Sequence, residues 1–110
     1  AHPVVGASWE GFVVENLIGA MPAGATAWYY RTAAGAEIDL VIEYGTHQRL
    51  AIEIKRSMAP TVSKGFYTGC DDIAATHRYV AYPGTEVYAG PHNSTITPVR
   101  HLMQTLQQMA

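Results

Sequence analysis

The sequence predicts an α/β fold with a mixed central sheet, flanked by helices and followed by a C-terminal helix. Strand-like segments at 27–32, 37–44 and 50–56 lie between two helical patterns, and another strand-like segment at 77–82 follows the second of them. The composition agrees, since 48% of the residues are hydrophobic and only 15% are charged, a balance typical of globular proteins. With 110 residues, the whole chain, 1–110, is expected to form a single domain.

The first predicted element is a helix over residues 7–21. Apolar residues such as Val13 and Leu17 recur on one face of it, at about 100° per residue. Glu10 falls within this apolar face, so we expect its side chain to point inward. Glu15 falls on the opposite face and is expected to be a solvated charge.

Three strands are predicted to follow this helix. The aromatic-rich segment 27–32 and the apolar segment 37–44 flank a short turn at 33–35, so we expect them to form a hairpin. A polar turn then leads to the third strand, at 50–56. These segments are rich in β-branched and aromatic residues, as strands usually are.

A helical crossover is predicted in the second half of the chain. A helix over 62–75, with Ser63 near its start, joins the strand at 50–56 to the strand at 77–82. Two neighbouring strands connected through a helix run parallel. The sheet is therefore predicted to be mixed.

The tail after Pro83 is predicted to be peripheral. Residues 86–89 and 95–97 are candidate edge strands, and a helix is expected to begin with Pro98 in its first turn and Thr97 as its cap. An apolar stripe along this last helix indicates that it packs on the core.

Charged residues interrupt the two most apolar strands. Asp39 lies on the second strand, and Glu53 and Lys55 are two positions apart on the third, so these two share one face. Burying such groups on an apolar sheet is costly, which favours a divalent-metal site; the structural alternative is a Glu53–Lys55 ion pair without a metal. Glu37 shares the face of Asp39, and we interpret it as a hairpin-edge charge in preference to a helper ligand.

The order α-β-β-β-α-β, with Glu10, Asp39 and Glu53-Ile54-Lys55, resembles the PD-(D/E)XK, or restriction-endonuclease-like, nuclease superfamily. More closely, WEGFVVENL, YYRTAAGAEIDLVIE and AIEIKRSMAPTVSKGF resemble the C-terminal domain of unknown function of prokaryotic AAA-type ATP-binding proteins. This resemblance covers nearly the first 80 residues. Ile38 stands where the superfamily name has a proline.

The resemblance implies a role for each residue of the cluster. Asp39 and Glu53 would bind Mg²⁺ or Mn²⁺ together with the Ile54 carbonyl, since hard divalent cations prefer oxygen ligands. Lys55 would orient or help to deprotonate the attacking water and offset charge in the transition state. Glu10 would orient the metal or its water from the helix.

Phosphate contacts are expected from three further cationic residues. Lys64 lies at the start of the second helix, where free main-chain amides would add to its charge. Arg31 and Arg56 would add positive charge at the rim of the site.

We therefore expect a Mg²⁺-dependent nuclease-like domain that acts on DNA phosphodiesters and is attached to an AAA-type ATPase in the same full-length chain. The alternative is a non-catalytic module of that ATPase, which binds nucleic acid or protein or promotes oligomerisation. The net charge of −2, from 7 Lys+Arg and 9 Asp+Glu, slightly favours the alternative because DNA contacts then need a local patch. The complete set of Glu10, Asp39, Glu53 and Lys55 favours the enzyme.

The cysteine, the histidines and the tyrosines give no indication of a disulfide, a zinc site or a base-stacking surface. Cys70 is the single cysteine, so we expect a reduced, cytoplasmic setting, and the five histidines lack zinc-ligand spacing. The tyrosines, including Tyr29, are expected to pack in the fold rather than stack on bases. No apolar run reaches the ~18–20 residues of a membrane span, so no membrane contact is expected. Because the sequence starts without methionine and enters a helix almost at once, we expect a fragment of a larger protein.

Overall fold

The computed structural model describes residues 8–109. Its three helices are α1 (Trp9–Gly19), α2 (Lys64–Asp72) and α3 (Val99–Gln107). Its six strands are β1 (Thr26–Arg31), β2 (Glu37–Tyr44), β3 (Gln48–Ile54), β4 (His77–Tyr82), β5 (Tyr88–Ala89) and β6 (Ser94–Pro98). None of the helices within this part of the chain is long and apolar enough to cross a membrane.

The strands form one mixed sheet in the order β1-β2-β3-β4-β6-β5. β1, β2 and β3 are antiparallel neighbours, whereas β4 runs parallel to β3 and β6 runs parallel to β4. β5 pairs antiparallel with β6. The predicted hairpin, the parallel crossover and the mixed α/β class are therefore confirmed.

Helices cover both faces of the sheet. Side chains alternate along β3, so each face is apolar and needs to be buried. Ile52 contributes to the core beneath α1 and α3, together with Leu17 and Leu106. Its neighbour Ala51 contributes to the core beneath α2, with Phe66. Full burial of a side chain such as leucine contributes roughly 1.5–3 kcal/mol, so these two apolar layers supply most of the driving force for folding.

The bounds of β2 and β4 match the predicted ones, and the boundaries of the other elements differ by up to three residues. Helix α1 begins after Ser8, whose hydroxyl accepts a hydrogen bond from the Gly11 N–H at 2.9 Å; the predicted start at residue 7 lies outside the described residues. Strand β3 ends at Ile54 rather than at 56, although the Lys55 N–H still donates to the Ala81 carbonyl at 2.9 Å. Helix α2 is shorter than predicted, and Ala74 just beyond it has a left-handed φ of 54°.

The tail is less peripheral than predicted. β6 lies inside the sheet, between β4 and β5, so its assignment to an edge is wrong. Thr97 does not cap α3: it continues β6 opposite Ala81, is buried, and leaves Pro98 as the N-cap residue without a side-chain cap bond. The strand pairing competes with the capping geometry at this position and determines the outcome.

Candidate functional site

A β-bulge in β2 positions Asp39. The register between β1 and β2 shifts by one residue, so that Asp39 and Leu40 lie opposite Tyr29 alone. A bulge of this kind re-aims a side chain. Here it directs the carboxylate of Asp39 to the end of β3, where it accepts a hydrogen bond from the Ile54 N–H at 2.8 Å.

Glu53 is the one acidic side chain that is buried within the described residues, with 7% of its surface exposed. One carboxylate oxygen, Oε1, accepts a hydrogen bond from the Ser63 hydroxyl at 3.0 Å and lies 3.3 Å from the Lys55 ammonium. The other, Oε2, has no hydrogen-bond partner in this part of the chain. Burial raises the pKa of Glu53, and the Lys55 charge offsets this only in part. Among the described residues, Glu53 therefore has one oxygen without a partner, and its contacts offset the cost of burying its charge only in part.

Ser63 couples helix α2 to this carboxylate. It is the N-cap residue of α2, and its hydroxyl accepts a hydrogen bond from the Phe66 N–H at 3.2 Å while donating to Glu53. The sequence placed Ser63 near the start of the helix but did not indicate its contact with Glu53. A helix cap can be predicted from neighbouring residues. The acceptor of the Ser63 hydroxyl proton, in contrast, depends on how α2 packs on the sheet.

The backbone of Lys55 is held from two sides. Its carbonyl accepts a hydrogen bond from the Trp9 indole at 3.2 Å, and its N–H donates to Ala81 of β4. Helix α1 is thereby tied to the segment that follows β3. The lysine side chain extends from this fixed backbone toward Glu53.

Glu10 lies beside Asp39, although its residue is solvent-exposed. Partial burial, a hydrogen bond with Asp39 and repulsion from Asp39 and Glu37 raise the pKa of Glu10. The expectation of an inward-pointing side chain needs correction: Glu10 is in the first turn of α1 and lines an open cleft instead of the core. Glu15 is exposed, as predicted.

These side chains line one cleft, of about 380 Å³. The residues that form its walls are Glu10, Gly35, Glu37, Asp39, Glu53, Ile54, Lys55, Ser63 and Gly65. The structure thus brings together all four residues predicted as ligands or catalytic groups. Four carboxyl groups surround a single lysine, so we name this feature the acidic cleft.

Within the described residues, none of the three predicted phosphate-binding residues lines the acidic cleft. Lys64 lines a neighbouring depression, and Arg56 is exposed at the surface after β3. Arg31 pairs with Glu37 at 3.4 Å, with both side chains more than half exposed.

The donor set of the acidic cleft fits a magnesium-like ion. Within residues 8–109, no group of three or more His, Cys, Asp or Glu side chains is arranged to hold a metal ion. Mg²⁺, however, keeps several waters and is commonly bound by only one or two carboxylates. Glu53, whose Oε2 has no partner among the described residues, and Asp39 supply two carboxylates to the same cleft, which is the number that such a site requires.

Tyr29 departs from its predicted packing role. It is 68% exposed, while its strand neighbours Trp28 and Tyr30 pack against the core beneath α2. Alternation along β1 places Tyr29 on the opposite side of the sheet from them. Cys70, in contrast, is a buried thiol, and its burial raises its pKa to about 11.

The fold and the acidic cleft define a mixed α/β domain with carboxylates and a lysine at one end of its sheet. The chain belongs to the family described as a domain of unknown function, DUF4143, which matches residues 5–102. It is 35% identical over 98 residues to uncharacterized protein Rv2008c of Mycobacterium tuberculosis and to uncharacterized protein Mb2031c of Mycobacterium bovis. These alignments cover 89% of this chain but only 21% of either relative, so the chain spans about a fifth of their length. No solved structure matches the chain significantly.

Proposed function

We propose that this domain is a divalent-metal-dependent nuclease of the restriction-endonuclease-like type, which acts on DNA phosphodiesters. The observation that carries the proposal is the convergence of Asp39, Glu53 and Lys55 on one cleft, where a buried oxygen of Glu53 lacks a partner among residues 8–109. A buried carboxylate without full compensation is unfavourable for folding alone. A role in binding a cation accounts for its presence.

Five of the residues that line the cleft have a defined role in this proposal. Asp39, Glu53 and the Ile54 carbonyl hold Mg²⁺ or Mn²⁺, which, when bound, lowers the pKa of a water and neutralises the scissile phosphate. Lys55 positions the attacking water and stabilises negative charge that develops on the phosphate. Glu10, which lies beside Asp39 in the wall of the cleft, would orient the metal or its water from α1.

We further propose that the domain works with an AAA-type ATPase in the same full-length protein, in a cytoplasmic setting. The resemblance of its first 80 or so residues to domains attached to such ATPases supports this. The length of the relatives also supports it, since 79% of each lies outside the alignment. The ATPase would deliver DNA to the acidic cleft.

A non-catalytic module of the same ATPase, one that binds nucleic acid or protein, is the second candidate. Two observations favour it: Glu53 is already paired with Lys55 and Ser63, and no three-ligand group occurs within residues 8–109. In that case the acidic cleft would be a structural remnant held by an ion pair.

Nicking of supercoiled and branched DNA by the full-length protein, with ATP and Mn²⁺, distinguishes these candidates. We expect Lys55→Ala to lower cleavage by at least about 100-fold, a typical contribution of a positioned acid–base group, but to keep the rise in melting temperature that Mn²⁺ causes. Asp39→Asn and Glu53→Gln should lose both. Glu15→Gln, a matched change on the exposed face of α1, should behave as the wild type.

Two results would contradict the nuclease. Equal cleavage by the wild type and by Lys55→Ala would mean that a contaminant cuts the DNA. Absence of cleavage by the wild type under these conditions would leave the non-catalytic module as the better explanation. A Mn²⁺-dependent melting shift that is equal in Asp39→Asn and in the wild type would place metal binding elsewhere.

A further inference from the structure

A second depression, of about 530 Å³, adjoins the acidic cleft. Glu10 and Asp39 belong to the walls of both. The remaining residues that line it are Ser8, Gly11, Val14, Tyr29 and Arg31. We name this feature the Tyr29 depression. Because it shares two acids with the acidic cleft, a polynucleotide with one phosphate beside Asp39 would continue directly into it.

The most exposed aromatic ring of the described residues forms one wall. Tyr29 has 68% of its surface exposed and lies opposite Asp39 in the strand register. The Arg31 guanidinium lies 5.6 Å from the centre of the ring, over one face. An exposed ring next to a cleft for phosphate chemistry is the arrangement on which an unpaired base stacks.

Arg31 adds a positive charge next to the acidic cleft, which is lined by Lys55 and four carboxyl groups. Its partner Glu37 is 3.4 Å away, and the two side chains are 64% and 52% exposed. Such a surface ion pair contributes little to stability, so the guanidinium can exchange Glu37 for a phosphate at small cost. The planar fork of arginine suits phosphate oxygens and also stacks on aromatic rings.

The class of nucleic acid that fits the Tyr29 depression depends on whether a face of a base is free to stack on the ring. In a duplex, both faces of an internal base are covered by its neighbours, and the ring of Tyr29 cannot reach them without unstacking. Single strands, flaps and frayed ends expose these faces at no such cost. The Tyr29 depression therefore suits an unpaired nucleotide.

We infer that the Tyr29 depression binds an unpaired nucleotide next to the scissile phosphate, with its base stacked on Tyr29 and its phosphate on Arg31. This inference rests on the proposed function and adds its substrate class: single-stranded DNA or DNA with single-stranded flaps or ends. Tyr29 is then a binding residue of the nuclease rather than part of the packed core.

Binding to the full-length protein tests the inference, with Ca²⁺ in place of Mn²⁺ to slow cleavage. The probes are a single-stranded oligonucleotide that contains 2-aminopurine and the same sequence as a blunt duplex. We expect the single strand to bind at least about 10-fold more tightly, with quenched 2-aminopurine fluorescence. Tyr29→Ala should weaken single-strand binding by about 10-fold, within the range for loss of one stacked base, and should abolish the quenching.

Matched variants separate stacking from folding. Tyr29→Phe keeps the ring and should bind as the wild type. Tyr88→Ala removes another exposed tyrosine, on β5 at the opposite edge of the sheet, and should leave binding unchanged. Arg31→Ala should reduce the salt dependence of binding, because one phosphate contact is lost.

The outcomes that overturn the inference differ from those that overturn the nuclease. Equal binding by Tyr29→Ala and Tyr88→Ala, together with Lys55-dependent cleavage of duplex DNA, would overturn the stacking role and leave the nuclease intact. Absence of binding to either DNA, with no cleavage that depends on Lys55, would overturn both.

Discussion

The Asp39 carboxylate accepts a hydrogen bond from the Ile54 N–H at 2.8 Å, across the ends of β2 and β3. The main-chain pairing of these strands ends at Leu40 and Ile52, so the side chain of Asp39 continues the connection beyond the last pair. The same residue is therefore both a candidate metal ligand and part of what holds the end of the sheet together.

Two substitutions at Asp39 should separate these roles. Asp39→Ala removes the acceptor of the Ile54 N–H and should lower the free energy of unfolding by roughly 1–3 kcal/mol, the usual cost of an unsatisfied polar group. Asp39→Asn keeps an oxygen acceptor and should cost less, while losing the response to Mn²⁺. Urea denaturation of both variants measures the difference, and an equal loss would show that the hydrogen bond contributes little.

Ser63→Ala should affect both stability and metal binding. It removes the N-cap of α2, at a cost of about 0.5–2 kcal/mol, and frees the Glu53 carboxylate from one of its two partners. Ser8→Ala is the matched control, since it removes the N-cap of α1 but no contact to Glu53. Thermal melts with and without Mn²⁺ should show a changed metal response only in Ser63→Ala; identical responses would mean that Ser63 acts only as a cap.

Gly65→Ala should destabilise the fold. A Cβ at position 65 would lie 2.5 Å from the backbone carbonyl oxygen of Gly35, and a backbone atom cannot move aside as a flexible side chain can. We expect a loss of about 1–3 kcal/mol, as in other overpacked sites. In Gly19→Ala the new Cβ meets nothing within 4 Å, so this variant should be neutral or gain up to about 1 kcal/mol; a similar effect of both would contradict the close approach of α2 to the β1–β2 turn.

The metal-free protein should become more stable as the pH falls from 7 toward the ordinary carboxyl pKa of 4.5. Burial raises the pKa of Glu53 in the folded state, so over that window the folded state binds more protons than the unfolded state, and stability decreases as pH rises. The raised pKa of Glu10 acts in the same direction. Glu43 acts in the opposite direction, because hydrogen bonds from Arg49 and Trp28 lower its pKa. Its contribution to the stability of the fold is lost only as the pH falls below the ordinary carboxyl pKa of 4.5.

Melting temperatures measured from pH 7 to 5 in the presence of EDTA check this. Glu53→Gln cannot titrate and should flatten the increase seen in the wild type. Saturating Mn²⁺ should also flatten it, because the ion replaces the proton on the carboxylate. Parallel curves for the wild type and Glu53→Gln would show that Glu53 does not titrate in this window.

Local patterns in the sequence were sufficient to predict most of the fold. The hairpin, the crossover through α2 and the alternation that separates Ile52 from Glu53 all follow from strand periodicity and short turns, which depend on neighbouring residues. The same alternation placed Glu53 and Lys55 together, and their proximity is observed. Periodicity also singled out Asp39 and Glu10, the resemblance added their roles, and the structure brings both to the same cleft.

The tertiary structure alone decided the environment of each of these groups. Only the packing of α2 on the sheet gives Glu53 its contact with Ser63 and leaves Lys64 outside the cleft. The bulge opposite Tyr29 and the position of β6 between β4 and β5 depend likewise on pairing between distant strands. Sequence periodicity predicts which residues share a face, but register and exposure depend on contacts between residues far apart in the chain, and no local pattern carries that information.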